Sequence, residues 1–117
     1  LTVTVRGAKS TDGVYACALF DDPKSFTSRS DPIVSKTISA NKDSVQWTVD
    51  EVAAGKYSIA VYHDANGNGR LDRHRLGFPL EAYGFSNNAR GKFGPPTYEQ
   101  VEFEIADEPV HLEIDVR

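Results

Sequence analysis

Cysteine is almost absent from this chain of 117 residues, with Cys17 the sole example. That excludes an intramolecular disulfide and any zinc site built on several thiolates. Long apolar runs are missing as well, and none approaches the roughly 18 residues that a membrane-spanning helix needs. Helical periodicity is scarce, and only Asp50–Ala54 hints at a turn of helix. Positive charge is in the minority. The 13 Lys and Arg against 17 Asp and Glu leave a formal net charge of -4, which argues against non-specific binding to nucleic acid. Low-complexity tracts, internal repeats and linkers are lacking too, so residues 1–117 read as a single domain large enough for a real core. Cys17 itself lies in an apolar run and reads as a small buried hydrophobe.

What the chain has in abundance is a period of two. Leu1, Val3 and Val5 alternate with threonines; Val45, Trp47 and Val49 alternate with Gln46 and Thr48. The same pattern runs through Tyr57-Ile59-Val61, Val101-Phe103-Ile105 and Val110-Leu112-Ile114-Val116. Alternation of this kind gives each strand one buried and one solvated face, as in antiparallel sheets. With Val14–Phe20 and Ile33–Ser39 the set reaches about seven strands, the complement of an all-β, antiparallel, immunoglobulin-like sandwich. Glu51, Glu102, Glu104, Glu113 and Asp115 then read as solvent-facing strand charges. If successive strands are antiparallel, the loops at 6–13, 40–44 and 64–99 share one end. The last is far longer than an ordinary connection. It carries Phe78, Tyr83, Phe85, Phe93 and Tyr98, too many aromatics for a solvated linker, and reads as one ordered cap.

The cap opens on Asp64-Ala65-Asn66-Gly67-Asn68-Gly69-Arg70-Leu71-Asp72. Oxygen-bearing side chains fall at positions 1, 3, 5 and 9 of a loop, with glycine at position 6, the spacing that wraps a hard cation. Asp64, Asn66, Asn68 and Asp72 would bind Ca2+ through side chains, and Arg70 through its carbonyl. Position 12, which carries a bidentate Glu in an EF-hand, is Arg75. The missing carboxylate is expected from Glu81 in the same cap, with Asp12 and Asp43 as weaker candidates from neighbouring loops. A site with so few carboxylates should hold calcium weakly, on the order of 10⁻⁴–10⁻³ M.

Cations surround the loop: Arg70, Arg73, His74, Arg75, Arg90 and Lys92. They read either as local charge balance or as forks for a carboxylate, sulfate or phosphate, with aromatics stacking on a sugar face. The candidate ligand surface is therefore Arg73, Arg75, Tyr83, Phe85, Ser86, Arg90 and Lys92. His63 ends the inward column Tyr57-Ile59-Val61-His63, where a histidine is ordinarily a hydrogen-bonded structural residue. An enzyme reading, a hydrolase or lyase, would need His63, Glu81 and Ser86 to converge.

The blocks Ala54–Val61, His63–Asp72, Leu76–Asn87 and Gly94–Tyr98 resemble, in combination and order, a bacterial family of small exported domains of uncharacterised function. The Gly55-Lys56-Tyr57 entry into a strand is also similar to transthyretin-like and carboxypeptidase-regulatory-like sandwiches. These resemblances imply a transthyretin- or immunoglobulin-like sandwich, delivered to the periplasm or the cell exterior. They give weight to Glu81 and Ser86 but supply no activity. Hydroxyisourate hydrolase occupies a related sandwich, yet its Tyr-Arg-Gly-Ser signature is not matched by Glu113-Ile114-Asp115-Val116-Arg117. The expectation is thus a calcium-stabilised module that binds an envelope ligand, a glycan or anionic small molecule, through the 64–99 cap. A purely structural protein–protein interaction domain is the other non-enzymatic reading.

Overall fold

The computed structural model describes residues 1–8, 10–65, 82–90 and 96–117. Among them the period-two runs become strands, in two sheets of a sandwich-like, mostly β fold. The first sheet holds β1 (Thr2–Arg6), β4 (Ser44–Thr48) and β8 (His111–Asp115), in the order β4-β1-β8. The second is built on β2 (Val14–Phe20), β3 (Val34–Ser39), β5 (Gly55–Asp64) and β6 (Tyr83–Phe85), in the order β3-β2-β5-β6. A further short strand, β7 (Phe103–Ile105), pairs with Gly55–Tyr57 at the start of β5.

Among the described residues eight strands stand where the periodicity predicts about seven, the additional one being β6. Neighbours pair antiparallel with one exception, β1 and β8, which run parallel with Val3 opposite Leu112 and Val5 opposite Ile114. The physical reason is connectivity. β8 arrives from the other sheet rather than through a hairpin, so no tight turn obliges it to reverse direction. The expected helical turn at Asp50–Ala54 does not form. Two short helices occur elsewhere instead, α1 (Pro23–Ser28) and α2 (Tyr98–Val101). Asp22 caps α1, its side chain accepting from Lys24 N, and Pro23 follows where a missing N–H costs nothing. α2 starts on a Thr97–Gln100 capping box.

The alternating residues meet between the sheets. Val3, Val5, Trp47 and Ile114 pack there with Tyr15, Cys17, Leu19, Ile59 and Val61 in one core. On the opposite face of the second sheet, Phe20, Phe85, Phe26 of α1 and Val101 of α2 form a smaller cluster. Edge-on ring contacts join Phe26 to Phe20, Phe85 and Tyr98, with centroids 5.6–5.7 Å apart.

The two sheets are also laced together. Tyr83 and Arg117 exchange backbone hydrogen bonds of 3.2 and 3.0 Å, joining β6 to the chain just past β8. Asn88 Oδ1 accepts from Asp115 N at 2.8 Å, and Arg90 Nη2 donates to the carbonyls of Tyr83 and Asp115 at 2.6 and 3.3 Å. The seam demands glycine at 84, where a Cβ would lie 2.7 Å from Asp115 O and 2.9 Å from Ile114 Cγ2. The span 64–99 is therefore not a single cap loop. Residues 82–90 are strand and turn of the sandwich, while 66–81 and 91–95 lie outside the described residues.

Candidate functional site

β5 carries the candidate residues to one end of the sandwich. Its alternation sends Tyr57, Ile59, Val61 and His63 into the core and turns Ser58, Ala60, Tyr62 and Asp64 to the outer face. Asp64, the last residue of β5, is only 1% exposed. An ionised carboxylate at that depth must be hydrogen-bonded, paired or bound to a cation, because water no longer solvates it. Asn66, Asn68, Arg70, Asp72 and Glu81, the rest of the expected metal set, lie outside the described residues, as do Arg73, Arg75 and Lys92. Among the described residues, no three His, Cys, Asp or Glu side chains group to hold a metal.

What the structure does show is how firmly the root of the 65–82 connection is held. His63 N donates to Ala82 O at 2.8 Å, and Tyr62 stands opposite Tyr83, so both ends of the 65–82 connection are pinned. The 6–13 and 40–44 loops come to the same end, as the antiparallel reading requires. Ala40 N donates to Gly13 O at 3.1 Å. Gly13 (φ +69°) lies so close to the chain that a Cβ there would sit 2.0 Å from Asp64 O and 2.8 Å from the Ala65 backbone. Gly13 is thus a residue of the site that ligand spacing could not reveal. It contributes by having no side chain.

His63 is 4% exposed, and its Nε2 donates to Asp12 O at 2.6 Å, a carbonyl that can only accept. Its ring also tilts against Tyr15 at a centroid separation of 5.7 Å. Burial pushes the Tyr15 phenol up in pKa, while its oxygen accepts the Ala8 N–H at 3.1 Å. His63 therefore ties the 12–13 turn to the root of the loop, the structural role that its place in the column implies.

Ser86 begins a 3₁₀ turn, Ser86–Asn88, and is fully buried. Its Oγ accepts from Ile59 N at 3.0 Å and donates to Val101 O. Ile59 falls between the stretch of β5 that pairs with β7 and the stretch that pairs with β6, so Ser86 supplies the partner that the ladder lacks there. Asn87 adopts a left-handed conformation (φ 63°), and its Nδ2 donates to the carbonyls of Gln100 and Glu102. Ser86, Asn87 and Asn88 serve as staples: Ser86 joins β5 to the end of α2, Asn87 holds the same 100–102 backbone, and Asn88 holds β8. Of the expected ligand surface, Ser86 and Phe85 are buried and present nothing to solvent, because both complete the packing beneath α1 and α2. Tyr83 and Arg90 remain half-buried, with the Arg90 guanidinium 4.8 Å above the Tyr83 ring.

The pairing on which the enzyme reading depends does not occur. Ser86 Oγ sits at Ile59 N, whereas His63 lies four residues further along β5, roughly 13 Å at strand rise, and faces the core. Cys17 is 2% exposed, and burial pushes its thiol up to about 12, with Lys36 opposing the shift, so no reactive thiolate forms near neutral pH. In the described residues no helix is long and apolar enough to cross a membrane.

A family model described as an uncharacterized protein conserved in bacteria matches residues 3–113. The chain belongs to this family, DUF2141. The match spans β1 to Glu113 in β8, and so takes in both sheets and the loop root at Asp64. No curated protein and no solved structure matches the chain.

Proposed function

We propose that this DUF2141 domain is an exported, calcium-stabilised β-sandwich module that binds an envelope or extracellular ligand, and not an enzyme. The observation that carries the reading is the burial of Asp64 at the end of β5, where the Asp-x-Asn-x-Asn-Gly-x-x-Asp run begins. A carboxylate withdrawn from water at the first position of a cation-spaced loop is where a hard cation gains most. The pinned root supports the same view. With Ala82 bonded to His63 and Gly13 packed beneath Ala65, the loop starts and ends on held backbone, which lowers the entropic cost of ligation. The metal's role in this reading is structural, and its export is an expectation drawn from the resemblance to small exported bacterial domains.

Thermal melts in calcium and in excess EDTA, with calcium titration calorimetry, test the metal. Calcium should raise the melting temperature and protect the 66–81 segment from protease, with EDTA reversing both. Superimposable melts and no heat of calcium binding would overturn the calcium assignment.

A further inference from the structure

We propose that β4 is the pairing edge of a symmetric dimer, in which the β4 strands of two copies of this chain run antiparallel about a two-fold axis at Gln46. This contact needs no calcium and lies outside the ligand-binding reading above. Among the described strands, the first sheet ends on β4 and β8 and the second on β3 and β6. β6 and β8 are closed against each other through Tyr83 and Arg117, and Asn88 takes the Asp115 N–H at the rim of β8. That leaves β3 and β4, at the other ends of their sheets. β3 is guarded, because Lys36 stands opposite Cys17 of the core and so puts a charge at an inward position of the edge. β4, Ser44-Val45-Gln46-Trp47-Thr48, holds no charge, no proline and no glycine. An edge without those devices is a template for another strand.

The free groups of this edge follow from its register on β1. Val49 N donates to Leu1 O at 2.8 Å, and the Leu1 amino group donates to Val49 O at 3.2 Å. Antiparallel alternation then gives Trp47 and Val45 to Val3 and Val5, and turns the N–H and C=O of Ser44, Gln46 and Thr48 away from β1. All three residues are exposed, and among the described residues these outward groups have no partner. The strand that fits them is a second copy, because the stretch 42–50, Lys-Asp-Ser-Val-Gln-Trp-Thr-Val-Asp, complements itself in reverse. With Gln46 facing its own counterpart, Ser44 faces the partner's Thr48 and Val45 faces the partner's Trp47. Hydroxyls therefore meet on the outer face and apolar side chains on the inner one. At each end Lys42 faces the partner's Asp50. Lys42 and Asp50 are both exposed, and among the described residues neither forms an ion pair. Pairing in this register sets about six backbone hydrogen bonds between the copies. It joins two three-stranded sheets into one, and as an isologous contact it closes at two chains. The contact is one strand long, about 17 Å, which is small for a specific interface. The dimer should therefore be weak, with a Kd on the order of 10⁻⁵–10⁻⁴ M.

Sedimentation equilibrium at protein concentrations about tenfold below and tenfold above that Kd provides the test, run in EDTA so that calcium does not enter. The chain should pass from monomer to dimer across the range. Gln46→Lys sets like charges against each other at the two-fold axis, and Gln46→Pro deletes an outward N–H that β1 does not use. Each should weaken the dimer about tenfold or more. Thermal melts accompany both variants; if Gln46→Pro lowers stability, Gln46→Lys, a change to an exposed side chain, decides. Lys42→Asp turns each end contact repulsive and should weaken the dimer about threefold or more. Adding Asp50→Lys reverses the pair and should restore the affinity. A chain that stays monomeric throughout overturns the proposal, as does a dimer that folded Gln46→Lys leaves unchanged. A double variant no tighter than Lys42→Asp alone also overturns it, since another register or another surface would then join the copies.

Discussion

The two faces of the β2–β5 pair obey different rules. The inner face, with Tyr15, Cys17 and Leu19 against Ile59, Val61 and His63, is closed throughout. Its two polar rings are held by backbone, His63 by the Asp12 carbonyl and Tyr15 by the Ala8 N–H. The outer face is graded along the same strands. At one end Phe20 and Ser58 lie under the helices, in the middle Ala16, Ala18, Ala60 and Tyr62 are half-open, and at the far end Asp64 is buried at the root of a cation-spaced loop. One pair of strands therefore supplies the main core on one side and, on the other, the aromatic cluster under the helices and the root of the cation-spaced loop. Changes to the inner face should alter stability regardless of calcium, while changes at the Asp64 end of the outer face should alter the calcium response.

The largest effect is expected inside. Leu19 is fully buried between the sheets, and Leu19→Ala should cost roughly 3–4 kcal/mol in denaturant titrations. The loss should be equal in calcium and in EDTA. A loss confined to one of the two conditions would break the separation between the faces. Next comes the staple on the edge of β5. Ser86→Ala orphans the buried Ile59 N–H and should cost about 2 kcal/mol, again independent of calcium. An effect below a few tenths of a kcal/mol would show that Ser86 is not holding the ladder and would reopen its availability for chemistry.

Legibility in the sequence follows the same division. β1, β2, β4, β5 and β8 are readable because each carries two or more inward apolar residues at period two. β6 is not, since Tyr83-Gly84-Phe85 is too short to show a period and its glycine is dictated by Asp115, a neighbour distant in sequence. The helices leave only local signs, in their caps: Asp22-Pro23 for α1 and the Thr97–Gln100 box for α2. Across residues 101–105 the alternation extends the strand back to Val101, which instead closes α2. Asp64 is legible as a first ligand from spacing alone, but its burial is not. Ser86 stands out in the sequence as a hydroxyl beside aromatics, and nothing local discloses that Ile59 and Val101 take both of its hydrogen bonds.

The outer face has its own prediction. At about 5 mM calcium, a site with an affinity on the order of 10⁻⁴–10⁻³ M adds roughly 1–2 kcal/mol to the folded state. Asp64→Asn should abolish that increment while leaving a cooperative melt. The readout is the difference between calcium and EDTA for each protein, so any change in basal stability cancels. A full calcium increment in Asp64→Asn would remove Asp64 from the ligand set and leave its burial to be explained by hydrogen bonding alone.

The smallest effect returns to the inner face and is seen only in alkali. Burial raises the Cys17 thiol from an ordinary value of 9.0 to about 12, so the native state keeps a proton that the unfolded chain releases. Its contribution to stability is fully present below the unfolded value and is lost as pH rises from about 9 toward about 12. By about pH 10 the loss should be about 1 kcal/mol. Tyr15 and Tyr98, both pushed up mainly by burial, add losses of the same sign as pH approaches about 10, so the window from about 8 to about 9.5 is governed chiefly by the thiol. Cys17→Ala should flatten the decline across that window in denaturant midpoints, whatever it does to stability at neutral pH. The slope should be the same with calcium and with EDTA, because Cys17 and the Asp64 loop lie on opposite faces of the same two strands. An unchanged slope in Cys17→Ala would mean that the thiol is not withdrawn from solvent. A slope that responds to calcium would mean that the two faces are coupled through β2 and β5.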